Sequence, residues 1–96
     1  MKVKQFEHAN QFLITDNDCL YLQSYDSLVV KIDGTTITFY PHWDYSNTTM
    51  RHVKHFLEMY TSIPDVCAKT IRKMISKGSY GQMYTIIYEE DYNYAD

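Results

Sequence analysis

SLVVKIDGTTITFY, residues 27–40, decides the fold. Two runs rich in β-branched and aromatic residues flank Asp33-Gly34. Such a dipeptide between β-formers predicts a hairpin through a type I′ turn, with positive φ at both central residues. Pro41 ends the second strand, because it has no N–H to give to a ladder. Working upstream, CLYLQ (19–23) reads as a further strand, separated from the hairpin by Ser24-Tyr25-Asp26. Asp16-Asn17-Asp18 reads as a turn, since Asx side chains bond nearby backbone and tolerate unusual dihedrals. KQFEHANQFLIT (4–15) carries Phe6, Phe12 and Ile14 in weak alternation and predicts one or two short strands. The N-terminal half is therefore a β-meander.

Helical period takes over after Tyr45. Met50, Val53, Phe56, Leu57 and Tyr60 recur at spacings of three and four, an apolar stripe on one helix face. Ser46, Asn47, Thr48 and Thr49 all offer side chains suited to capping its first turn. SIPD (62–65) announces a second helix: Ser62 and Asp65 have capping-box spacing, and Pro64 suits a first turn. Val66, Cys67, Ile71, Met74 and Ile75 would be its buried stripe, and Gly78 its C-terminal cap. In the last segment Tyr80, Tyr84, Tyr88 and Tyr92 recur every four residues, a helical spacing, yet Gly81 and the TIIY run favour a strand over 83–88. The expected fold is α+β, an antiparallel β-meander with two helices packed on one face and a C-terminal strand. It forms a single domain, 1–96, with an acidic tyrosine-rich tail from about residue 89.

Ninety-six residues hold one core, and 45% hydrophobic with 22% charged residues is a globular composition. Ten tyrosines are the unusual feature; each pairs an apolar ring with a polar tip, which suits half-buried and contact positions. The net charge of −3 is unevenly spread. Residues 49–78 carry six of the nine basic side chains, whereas residues 79–96 carry four carboxylates and no cation. No apolar run follows the N-terminal lysines, so no signal peptide is expected, and no run reaches the length of a membrane span. Cys19 and Cys67 sit within apolar patterns and are expected to be buried thiols in a reducing compartment.

His52 and His55, at i and i+3 with His42 upstream, raise the question of a metal site. They lie off the apolar stripe between Arg51 and Lys54, where a divalent cation would sit among cations, and no carboxylate stands at ligand spacing. A solvated polar helix face is the expectation, with no metal and no cofactor. Nucleophile elbows, phosphate-binding glycine loops and a complete calcium loop are all missing from the sequence, so it reads as that of a non-enzyme. Lys69, Arg72, Lys73 and Lys77 share one face of the second helix and form a candidate phosphate-contact surface. Glu89-Glu90-Asp91 could neutralise that stripe, or could dock with Tyr88 and Tyr92 on a basic groove of another protein. Trp43 and Tyr45 are the remaining candidate anchors for a partner.

LQSYDSLVVKIDG (22–34) and WDYSNTTMRHVKHFL (43–57) together resemble a group of small uncharacterised proteins from phages and related mobile elements. The shared pattern is Ser24-Tyr25-x-Ser27, then Trp43-Asp44-Tyr45-Ser46-x-Thr48-Thr49, then His52 and Phe56-Leu57. The resemblance implies an accessory protein acting in the host cytoplasm and brings no activity or catalytic residue with it. Read from the residues alone, Trp43 would seat the loop on the sheet, while Asp44, Ser46, Thr48 and Thr49 serve the N–H groups at the helix start. The functional expectation is a binder and modulator of a host protein, an anti-CRISPR-type defence inhibitor being one form. The alternative is a nucleic-acid-binding regulator using the basic helix face. A homodimer through a sheet edge is compatible with either.

Overall fold

The computed structural model describes residues 2–5 and 10–92. The meander consists of β1 Lys2–Gln5, β2 Gln11–Asp16, β3 Cys19–Ser24, β4 Ser27–Asp33 and β5 Thr36–Phe39. A 3-10 turn over Pro41–Asp44 leads into α1, Asn47–Tyr60, then α2, Ala68–Lys77. The short strand β6, Ser79–Tyr80, and β7, Tyr84–Tyr88, complete one seven-stranded sheet in the order β1-β2-β3-β4-β5-β7-β6. The expected α+β class, meander, helices and C-terminal strand are all present. The sheet is antiparallel except where β7 lies parallel to β5, because both helices intervene between the two strands and return the chain in the same direction. Phe6 and the tail beyond Tyr92 lie outside the described residues.

The turns differ in detail from the expectation. Asp33 remains in β4, paired with Thr36, and of the two loop residues only Gly34 has positive φ, at 60°. That is the pattern of a type II′ turn, with glycine at the first central position. It keeps Ile32 opposite Ile37 on the core face, whereas a one-residue slip would turn every side chain of β5 over. The two-residue turn with both φ positive lies instead at Asn17 and Asp18, at 50° and 66°.

Across the sheet, Leu13, Leu22, Val30 and Phe39 align in one row, and Ile32, Ile37 and Ile86 in another. Both rows join Val53, Phe56 and Leu57 of α1 and Ile71 and Met74 of α2 in a single core. Each fully buried aliphatic or aromatic side chain stabilises the fold by about 1.5–3 kcal/mol. Ser46 is the cap of α1; its hydroxyl accepts a hydrogen bond from the Thr49 amide at 3.1 Å.

The second helix begins later than expected. Asp65 adopts φ of 51°, and Ser62-x-x-Asp65 forms no capping box. Instead Ile63 and Val66 are tucked into the core, so burial of two apolar side chains outweighs a cap worth about 1 kcal/mol. Cys67 stands at the N-cap, exposed, and Cys19 is half-buried, correcting the expectation of two buried thiols. Gly78 closes α2 in the left-handed region at φ 74°, as its position predicts.

Candidate functional site

One end of the sheet gathers the β3–β4 turn, the C-terminal ends of β5 and β7, and the start of α1. The turn pairs Ser24 with Ser27 and holds Tyr25 at φ 55°. A bulky residue in this region is strained, and the position is over-determined by neighbours. The Tyr25 amide donates to the Asn10 carbonyl at 2.6 Å, and Gln23 Nε2 donates to the Tyr25 carbonyl at 2.8 Å. A register shift in the β3–β4 pairing leaves Val29 as the extra residue of a bulge, buried behind the turn.

Ser24 shares the core face with Leu22, beneath the first turns of α1. Its Oγ lies 2.8 Å from His52 Nδ1 and 3.3 Å from Thr49 Oγ1, which lies 3.2 Å from Ser46 Oγ. Ser24 Oγ donates to Thr49 Oγ1, as does Ser46 Oγ, so the single proton of Ser24 is committed and His52 Nδ1–H donates to Ser24. His52 is 6% exposed, and the Tyr25 ring centroid lies 6.0 Å from its own. The expected solvated helix face is corrected here: polar partners on the sheet compensate the imidazole's desolvation. A serine–histidine pair is the unit of nucleophilic catalysis. Here both side chains are buried, and the pair ties α1 to the β3–β4 turn.

In front of this network lies a cleft of about 220 Å³, walled by Tyr25, Asp26, Ser27, Val29, His42 and Tyr45. Ser27 Oγ and His42 Nδ1 are 3.1 Å apart, and the His42 and Tyr45 rings are 5.3 Å apart. Tyr45 is 76% exposed. Trp43, by contrast, is 4% exposed and meets Phe39 edge-to-face at 6.0 Å. Arg72 lies 5.4 Å from the Trp43 ring centre and 3.4 Å from an Asp44 carboxylate oxygen. Trp43 and Asp44 therefore hold α2 from within the loop.

The acidic segment reaches the same end of the sheet. The Glu89 amide donates to the Phe39 carbonyl, and Tyr92 turns back to pack on Tyr40 at 4.7 Å. Tyr88, Glu89, Glu90, Asp91 and Tyr92 are exposed. On α2, Lys69, Arg72, Lys73 and Lys77 are all exposed, so the cationic face exists, with Arg72 engaged at Asp44. Among the described residues no three His, Cys, Asp or Glu side chains are placed to hold a metal ion, and no helix is long and apolar enough to cross a membrane. Thr70 holds the Cys67 thiol below its ordinary range through its hydroxyl at 3.2 Å and its amide, and Lys69 adds to the effect.

A sequence profile matches residues 1–73, from β1 into α2, and takes in both motif blocks. The chain belongs to DUF8033, a family of unknown function. No curated protein and no solved structure matches it. Within this DUF8033 chain, Ser24, Thr49 and His52 converge from two blocks separated along the sequence, and the joint occurrence of SYxS and WDYSxTTxxH was the available signal for them. Nothing in the sequence marked the positive φ of Tyr25; Asp26 was legible only as a turn residue and His42 only as a neighbour of the other imidazoles, and the cleft that joins them forms in the fold.

Proposed function

We propose that this protein is a non-enzymatic interaction module: a phage-type accessory factor that binds and modulates a host protein in the host cytoplasm. A defence inhibitor of the anti-CRISPR kind is one concrete form. One observation carries the reading. Tyr25, Tyr45, Tyr88 and Tyr92 stand exposed at one end of the sheet with Asp26, Glu89, Glu90 and Asp91. Exposed aromatics on a rigid scaffold act as binding anchors, and carboxylates around them steer a basic partner. Trp43 is buried against Phe39 and is not part of the exposed surface.

The test is affinity capture of the tagged full chain from host lysate, with and without nuclease, read by mass spectrometry. A protein partner retained after nuclease and lost on Tyr45→Ala combined with Glu89→Lys and Glu90→Lys supports the reading. Recovery of no protein partner refutes it. A second reading, nucleic-acid binding through α2, is favoured by the four exposed cations on one face. Labelled duplex titrated across a salt series decides it: a steep salt dependence that flattens on charge reversal of Lys73 and Lys77 supports it, and no retention at low salt removes it.

A further inference from the structure

We propose that the cleft between Tyr25 and Tyr45 receives an arginine side chain of the partner protein. This inference rests on the protein-binding reading and names the chemistry that the surface recognises. Its walls supply the two features that a guanidinium requires. Tyr25 and Tyr45 are exposed aromatic rings, and a planar cation stacks on such faces, more strongly as water is excluded. Asp26, in the same turn as Tyr25, supplies a carboxylate able to accept two parallel N–H bonds. At about 220 Å³ the space suits a single side chain and is small for a drug-sized ligand.

The surroundings favour a cation. Tyr92 packs on Tyr40, and the Tyr40 amide bonds the carbonyl of Val29, a wall of the cleft. The Glu89–Asp91 carboxylates follow β7 at the same end of the sheet, while the cations of α2 belong to a different element, where Arg72 is turned to Asp44. Pre-organisation is built in as well. The strained Tyr25 backbone is clamped by bonds to Asn10 and Gln23, and its ring rests beside buried His52, so the wall stands before a ligand arrives. A glycine would meet the backbone requirement with less strain; a tyrosine there has to be accounted for by its side chain.

The experiment titrates the isotope-labelled full chain with the capped tripeptide Gly-Arg-Gly and follows backbone amide shifts. Two further peptides replace arginine by citrulline, its neutral isostere, and by lysine. Saturable shifts confined to residues 25–27, 42 and 45, at least tenfold weaker with citrulline and weaker with lysine, support the inference. The response should fall at least fivefold in Asp26→Asn and in Tyr45→Ala, two exposed positions whose spectra otherwise stay native. Tyr25→Gly, which tolerates the turn's φ, should lose it too. Equal responses to arginine and citrulline, or an unchanged response in Asp26→Asn, overturn the inference, and an equal response to lysine overturns the arginine assignment. Capture of a protein partner that survives Asp26→Asn and Tyr25→Gly overturns this inference alone. Arginine binding with no protein captured overturns the host-partner reading alone.

Discussion

Replacing Ser24 with alanine removes the hydroxyl at the junction of two elements. It takes a buried hydrogen bond of 2.8 Å from His52 Nδ1 and one of 3.3 Å from Thr49 Oγ1. Depriving a buried polar group of its partner costs about 1–3 kcal/mol. For a domain of this size each kcal/mol lowers Tm by about 4–8 °C, so Ser24→Ala should melt roughly 4–24 °C below wild type. His52→Leu removes the other end of the same bond, leaves Ser24 its contact with Thr49, and should cost about 1–2 kcal/mol. The double variant is the informative one. With the donor and acceptor both gone, its loss should be smaller than the sum of the single losses by about 1 kcal/mol, a coupling typical of residues in contact. Urea unfolding of the four proteins, at constant m-value, supplies the cycle. Additivity to within about 0.3–0.5 kcal/mol would refute the claim that this bond ties α1 to the β3–β4 turn.

Three other outcomes follow from the same geometry. Ser46→Ala removes the hydroxyl that caps α1 and should cost about 1 kcal/mol in urea unfolding, while Ser46→Asp should retain most of the stability. Gln11 is fully buried with neither amide atom hydrogen-bonded among the described residues, so Gln11→Met should leave stability unchanged or raise it by about 1 kcal/mol; a loss above about 1 kcal/mol would reveal a polar role for that amide. The Cys67 thiol, held below its ordinary range by Thr70, should be alkylated faster than Cys19 at neutral pH, and Thr70→Val should move the pH midpoint of that reaction upward; an unmoved midpoint sinks the assignment.

The secondary-structure order was legible because it rests on local chemistry. Asp33-Gly34, the polar triplet at 16–18, the stripe from Met50 to Tyr60 and Gly78 each act within a few residues, and the meander, α1 and the end of α2 follow from them. Where a long-range contact competed, local reading failed. The 62–65 segment has the spacing of a capping box, but burying Ile63 and Val66 is worth several kcal/mol, and a cap about one. His52 looked solvated because its sequence neighbours Arg51 and Lys54 are charged; its true neighbours are Ser24 and Tyr25, brought there by β3.

Periodicity and turn chemistry, both short-range properties, were enough by themselves to determine an α+β domain with its helices on one face of a meander. Tertiary structure alone decided that β7 runs parallel beside β5, and that Tyr25, Asp26, His42 and Tyr45 enclose one cleft. The physical reason is separation along the chain: a cleft is defined by distances between residues far apart in sequence, and only the packed core sets those distances.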